Sequence, residues 1–173
     1  MYFPRSRKEI QSFLGKVNFV RHFIPNFAEI VKDITRMLKK GVDIKWTAEA
    51  RHSFEEIKRE LTQAPVLISP DFSKEFLVST FASESTIAGA LLQKGHQGIE
   101  QHIFFFSRTL ANSELKYNIL EKQAYALVKA IKDFRIYILH SHIVAFVPNI
   151  VVKDILIQAD PDGKRGKWIY NLL

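Results

Sequence analysis

FLVSTFASESTIAGALLQ, residues 76–93, is the stretch of this sequence that decides its fold. A first apolar run begins at Phe76, a second occupies positions 87–92 around Gly89, and polar residues from Ser83 to Thr86 separate them. Two such runs joined by a short polar turn are typical of a β-hairpin. The stretch therefore predicts two antiparallel strands, and the neighbouring elements can be placed outward from it.

Downstream of the hairpin, the sequence predicts another strand, a long helix and further short elements. Positions 102–107, HIFFFS, are apolar enough for a strand that is buried on both faces. Asn118, with Glu121 three residues later, is a pattern found at helix starts, and apolar residues recur behind it at helical spacing. The remaining predicted elements are a strand at 143–147, a helix at 151–158, a turn at 160–163 and a last helix at 165–172.

Upstream of the hairpin, the sequence predicts three helices. Ser6 and Glu9 form a capping-box pattern before a helix at 7–20. A second helix is predicted at 27–39, and Thr47 is suited to cap a third. Together the patterns predict a mixed α+β fold in two parts, a three-helix subdomain at 1–70 and an α+β domain at 71–173.

The composition favours an anionic partner. The chain has 25 Lys and Arg against 18 Asp and Glu, a net charge of +7 and a pI of about 9.6, and most of the basic excess lies in residues 1–70. A basic surface attracts nucleic acid, although a surface that is merely soluble can have the same composition. The absence of cysteine excludes disulfides, thiol catalysis and cysteine-ligated zinc. No apolar run approaches the ~18 residues that a membrane span needs, so we expect no membrane partner.

The N-terminal helices carry a motif of high specificity. FLGKVNFVRHFIPNFAEI, residues 13–30, resembles the FLG-x-x-x-(F/Y)-x-R-x-FIP-x-F motif that follows the polymerase palm in Gypsy-type and gammaretroviral reverse transcriptases. In that family the segment is the thumb, which holds the primer–template duplex, so the resemblance implies a thumb-like role for residues 1–70. Charge and this resemblance together nominate as phosphate contacts Arg5, Arg7, Lys8, Lys16, Arg21, Lys39, Lys40, Lys45, Lys164, Arg165 and Lys167.

The hairpin resembles the first hairpin of the RNase H domain in Gypsy-type polyproteins. There the first strand ends in T-D-A-S, and Thr80, Ala82 and Ser83 fit that frame. The strand at 102–107 leads into Ser107-Arg108, as in the family's P-I-x-(F/Y)-x-S-R-x-L. The resemblance implies an RNase H-like fold with three antiparallel strands, a long helix, a fourth strand and further helices, and we expect the chain to stop before that fold's fifth strand and final helix.

The departures from the family pattern fall at its metal ligands. RNase H activity in the family uses two Mg²⁺ ions held by clustered carboxylates, and here those positions are occupied by Phe81, Gln123 and Pro148. The nearby acids Glu84 and Glu121 are at the wrong positions to replace them. We therefore expect no catalytic residues, no metal, no cofactor and no enzymatic activity in this chain.

The resulting hypothesis is a thumb plus a degenerate RNase H-like connection domain from a plant-like Gypsy-type retrotransposon polyprotein. It would bind RNA/DNA hybrid or duplex and link the polymerase to a downstream RNase H domain of the same polyprotein. We expect an intracellular location, in a cytoplasmic retrotransposon particle or in the nucleus. The alternative is a domesticated, host-encoded fragment that binds a protein partner, with Phe81 and Phe104–Phe106 contributing to an exposed apolar surface.

Overall fold

Three α-helices form the N-terminal part of the computed structural model, which describes residues 3–63 and 67–157. Helix α1 is Arg7–Phe19, α2 is Phe27–Arg36 and α3 is Ala48–Thr62, with a short 3-10 helix at Arg21–Phe23 between the first two. Their apolar faces meet in one core. It includes the fully buried residues Ile10, Ile34, Phe54 and Ile57. The three predicted helices are therefore confirmed.

Helix α2 ends three residues earlier than the sequence predicts. Its last residue is Arg36 rather than Lys39, and the chain then turns towards Gly41, whose φ is +76°. The guanidinium of Arg7 donates to the backbone carbonyl oxygens of Leu38, Lys39 and Val42, at 2.9, 3.1 and 2.8 Å. Carbonyl groups at the end of a helix have no partner within the helix, and Arg7 supplies partners for this turn.

A four-stranded sheet follows, with strands in the order β3-β2-β1-β4. The strands are β1 Phe76–Ala82, β2 Thr86–Lys94, β3 Glu100–Thr109 and β4 Ile143–Phe146. Strands β1, β2 and β3 form an antiparallel meander, whereas β4 pairs with β1 in parallel. The predicted hairpin is confirmed, and β3 extends past both ends of the predicted strand.

Two helices cover one face of the sheet: α4, Ile119–Ile138, and α5, Ile150–Ile157. Asn118 accepts from the Glu121 backbone N–H at 2.9 Å while the Glu121 carboxylate accepts from the Asn118 N–H at 3.0 Å, so the predicted cap of α4 is a complete capping box. A Cβ at Gly89 would lie 3.0 Å from the Cβ of Ala130, so β2 and α4 approach closely there. The turn at 160–163 and the helix at 165–172 lie outside the described residues.

Strand β3 is covered on both faces, as its composition predicts. Phe104 and Phe106 pack against Phe134 of α4, with ring centroids 6.0 and 6.4 Å apart. Phe105 points to the opposite face, where the 3-10 helix and α2 lie, and is 6% exposed. The hypothesis that Phe104–Phe106 form an exposed apolar surface is therefore wrong, because the helical part and α4 cover this strand from opposite sides.

Polar contacts fasten the helical part to the sheet. The backbone N–H of Ala28 in α2 donates to Ser107 Oγ at 2.9 Å. The hydroxyl of Thr86, at the start of β2, donates to the Glu29 carboxylate at 2.8 Å. The structure thus has two hydrophobic cores that meet along one polar seam. Among the residues described, no helix has the length and apolar character needed to cross a membrane.

Candidate nucleic-acid interface

Helix α1 presents a broad exposed side opposite its buried residues, and a stripe of five residues runs along this side. Its buried residues, including Phe13 and Val17, point into the helical core. The helical period therefore places on the outer side Lys8, Ser12, Gly15, Lys16 and Phe19, all of them exposed. Phe19 is 86% exposed, and nothing lies within 4 Å of a Cβ built on Gly15. A phosphate backbone or a groove edge can therefore come close to this helix between two lysines.

The other cationic residues predicted to contact phosphate differ in their exposure and in whether their charged groups are already hydrogen-bonded within the chain. Arg5, Arg21, Lys39, Lys40 and Lys45 are exposed and lie on the same helical part as the stripe. Arg7 is half-buried, and its guanidinium donates hydrogen bonds to three backbone carbonyl oxygens. In this structure it therefore stabilises the turn after α2. Lys164, Arg165 and Lys167 lie outside the described residues.

The three positions at which the resembled nuclease family has metal ligands lie in different surroundings here. Phe81 is on β1, on the face away from α4, and is 58% exposed. Gln123 is on α4, with an Oε1 that is buried and has no hydrogen-bond partner among the described residues. Pro148 is exposed just before α5. Over residues 3–63 and 67–157, no group of three or more His, Asp or Glu side chains is placed to hold a metal ion.

The corner where the β1–β2 turn meets α4 holds an ammonium group. Lys122 is 7% exposed, and its Nζ donates to the backbone carbonyl of Glu84 at 2.7 Å. Glu84 itself is exposed in the turn, whereas the Glu121 carboxylate is occupied by the capping box. The arrangement joins α4 to the hairpin and brings a positive charge, not a carboxylate, into this corner.

A buried polar cluster secures the end of β3. The Glu114 carboxylate accepts hydrogen bonds from Arg108, from the Tyr125 hydroxyl and from the Ala111 backbone N–H. Burial alone would raise the pKa of Glu114, but these hydrogen bonds outweigh it and hold the pKa below its ordinary value. Burial and the same carboxylate raise the pKa of Tyr125, so its hydroxyl stays protonated as a donor.

Glu29 is the acidic centre of the seam between the helical part and the sheet. Burial would raise its pKa, but hydrogen bonds from Lys32, Thr86 and Ser83 outweigh this effect and lower the pKa below 4.5. Thr86 is 0% exposed, and its hydroxyl also lies 2.8 Å from that of Ser83. Ionised Glu29 therefore has partners on both sides of the seam.

The match to known families agrees with this fold. Residues 46–145 match the model of the RNase H-like domain found in reverse transcriptase. The chain belongs to this family of RNase H-like domains. Its curated relatives include the Tf2-3 and Tf2-4 transposon polyproteins of Schizosaccharomyces pombe, each 33% identical over 171 residues. That alignment covers 95% of this chain but 13% of each polyprotein, so this RNase H-like chain corresponds to a small part of such relatives.

Solved structures of foamy viral protease–reverse transcriptase are also similar to this RNase H-like chain. One, in complex with double-stranded DNA, superposes with a TM-score of 0.79 at 32% identity, covering 99% of this chain and 31% of that one. Another, in complex with an RNA/DNA hybrid, gives a TM-score of 0.75 at 32% identity, covering 99% and 24%. The mixed α+β fold and the membership of a reverse transcriptase family, both predicted from the sequence, are confirmed.

Sequence reasoning missed the residues that act between the two parts of the chain. Glu29 meets Thr86, and Ala28 meets Ser107, across more than fifty residues of sequence, and Arg108 was noted only as part of a motif. Nothing in local periodicity shows such a meeting. The one available signal was the pair Ser107-Arg108, polar residues placed directly after the apolar run at 103–106.

Proposed function

We propose that this chain is a thumb-like and connection-like segment of a retrotransposon reverse transcriptase that binds an RNA/DNA hybrid without cleaving it. The observation that carries the proposal is the exposed stripe of α1, where Gly15 leaves the helix surface open between Lys8 and Lys16. Similar foamy viral chains have been solved with double-stranded DNA and with RNA/DNA hybrid, which supports the choice of ligand. Binding of this kind rests on phosphate contacts and carries little sequence preference.

The absence of cleavage is part of the same proposal. A two-metal nuclease needs clustered carboxylates, and a phenyl ring, an amide and a proline, at Phe81, Gln123 and Pro148, cannot supply them. The partners of the segment would then be the polymerase and a downstream RNase H domain of the same polyprotein. The plant-like subclass and the location in a particle or the nucleus stay predictions.

The test measures binding to a fluorescently labelled RNA/DNA hybrid of about 20 base pairs. Fluorescence anisotropy reports the binding across a salt series in the presence of Mg²⁺. A double variant, Lys8→Gln with Lys16→Gln, should lower the slope of log K against log salt by about 2, because each lost phosphate contact removes roughly one unit. A matched variant, Lys132→Gln with Lys153→Gln, removes two exposed charges from α4 and α5 and should leave the slope unchanged. The RNA strand should run intact on a denaturing gel. Equal losses in both double variants, or no binding by the parent chain at low salt, would contradict the proposal.

A second candidate function, a protein-interaction module of a domesticated fragment, is favoured by one observation. Phe81 borders an apolar groove of about 380 Å³ on the sheet face away from α4, lined also by Pro25, Ala88, Ala90 and Phe105. Exposed apolar surface of this kind is found at protein interfaces. If hybrid binding fails at low salt, this groove becomes the leading site.

A further inference from the structure

A small polar notch lies at the seam, where the 3-10 helix meets β3 and α4. It has a volume of about 190 Å³ and is lined by residues of all three elements, among them Arg21, Phe106, Arg108 and Asp133. Pockets that take drug-sized ligands measure about 300–1,000 Å³. The notch is therefore suited to a single small group rather than to a base or a nucleoside.

His22 fixes the position of Arg21 at one side of the notch. Its Nδ1 lies 3.2 Å from the carbonyl oxygen of Phe105, and its Nε2 accepts from Arg21 Nε at 3.2 Å. These two contacts require a neutral ring with its proton on Nδ1. The ring also stacks on Phe104 at 4.1 Å. The sheet thus holds the imidazole, and the imidazole holds the guanidinium.

Arg108 lines the notch from the face of β3 that packs against α4, whereas the side chain of Ser107 points to the opposite face, towards α2. One nitrogen of Arg108 pairs with Glu114, but its Nε is buried and has no hydrogen-bond partner within the described parts of the chain. A buried donor without a partner costs free energy of about 1–3 kcal/mol, so a site that leaves one in place calls for a function. Ser107 Oγ accepts from the Ala28 N–H on that opposite face, so the cationic donors at the notch are the two arginines.

We propose that Arg21 and Arg108 form a phosphate-binding notch that holds one phosphodiester group of the bound duplex. The inference rests on the proposed function and extends it, because Arg21 lies just past Phe19, the last residue of the α1 stripe. A duplex lying along the stripe would then meet a second contact on the RNase H-like part. Planar guanidinium groups suit phosphate oxygens, and hydrogen bonds to charged groups are stronger than neutral ones.

Asp133 allows a test in which two substitutions are expected to change hybrid affinity in opposite directions. Its carboxylate also lines the notch and opposes an anion there. Arg21→Gln should weaken hybrid binding roughly tenfold, the size of one charge-assisted hydrogen bond, and lower the salt slope by about 1. Asp133→Asn should strengthen binding. Arg59→Gln, an exposed arginine on α3 that pairs with Glu56, is the matched control and should have little effect.

The same titrations include inorganic phosphate and a mononucleotide as competitors. A duplex-borne phosphodiester predicts that neither competes at millimolar concentration, whereas competition abolished by Arg21→Gln would assign the notch to a free phosphate compound and overturn the proposal. Thermal melting of each variant shows that it is folded. If Arg21→Gln and Arg59→Gln weaken binding equally while Lys8→Gln with Lys16→Gln still lowers the salt slope by about 2, the notch fails and the proposed function stands. If the parent chain does not bind hybrid, both fail.

Discussion

Phe81 is a residue whose identity matters for the proposed loss of nuclease chemistry but not for the fold. The position is on the exposed face of β1, so the strand tolerates either a carboxylate or a phenyl ring there, and the ring costs the core nothing. What the replacement changes is the ability to hold a cation. Under the proposed function, the nuclease chemistry is lost at this position while the packing of the strand is unchanged.

Phe81→Asp should fold with a free energy of unfolding within about 0.5 kcal/mol of the parent chain, because the side chain is 58% exposed. It should also fail to cleave an RNA/DNA hybrid in Mg²⁺, because Gln123 and Pro148 still supply no carboxylate. Urea unfolding and a denaturing gel measure the two outcomes. A loss above about 1.5 kcal/mol would show that the phenyl ring is packed, and cleavage would show that a metal site exists elsewhere in the chain.

At the scale of the element, one side of α1 packs in the helical core and the other side is exposed to solvent. Gly15 is the weak point of its helical propensity, because glycine is less favourable than alanine by about 1 kcal/mol in a helix interior. No atom within 4 Å would meet a new Cβ. Keeping a glycine there makes sense if something other than this chain has to approach the helix.

Gly15→Ala should therefore raise the free energy of unfolding by about 0.5–1 kcal/mol and weaken hybrid binding at the same time. Urea unfolding and anisotropy report the two effects on one variant. Ser12→Ala, one turn earlier on the same stripe, separates a general change of the surface from the need for an open backbone. A stabilised Gly15→Ala variant that binds hybrid as tightly as the parent would remove Gly15 from the interface.

The elements also show where sequence reasoning works. Periodicity and caps predicted α1, α3, α4 and the hairpin, because each is decided by the apolar spacing within its own contiguous stretch of sequence. The end of α2 was predicted too late because residues 37–39 form tighter i→i−3 hydrogen bonds, and Arg7 of another helix binds the carbonyl groups of the turn that follows, which local periodicity does not show. The notch was not predicted for the same reason, since Arg21 and Arg108 meet only after folding.

At the scale of the whole molecule, the hydrogen bonds of Glu29 help to join the helical part to the sheet. A carboxyl group whose pKa is lowered by folding stabilises the folded state above its unfolded pKa, and this contribution is lost as the pH falls through the folded value. For Glu29 the ordinary value is 4.5 and the folded value lies below it. The stabilisation is thus complete near neutrality and declines below pH 4.5.

Glu29→Gln should lower the free energy of unfolding at pH 7 by about 1.5 kcal/mol, the low end of the range for a hydrogen bond to a charged group, because Glu29 is partly exposed. The difference from the parent chain should shrink as the pH falls below 4.5, because the parent then loses the same charge. Glu55→Gln, an exposed carboxylate on α3 paired with Lys58, should change little at any pH. Urea unfolding at several pH values measures all three chains, and a difference that grows in acid would contradict this account.

The parallel pairing of β1 with β4 has a consequence for synthesis on the ribosome. Strands β1, β2 and β3 are contiguous in the chain and can form their meander as soon as they emerge, but the partner for the free edge of β1 begins only at Ile143. At roughly 5–20 residues per second, that edge waits several seconds or more for its neighbour. During this interval the nascent chain carries an open strand that other nascent copies could pair with. The helical part is synthesised before the sheet and can dock onto β3 early. The surfaces of the sheet that then still await a partner are the free edge of β1 and the face that α4 later covers.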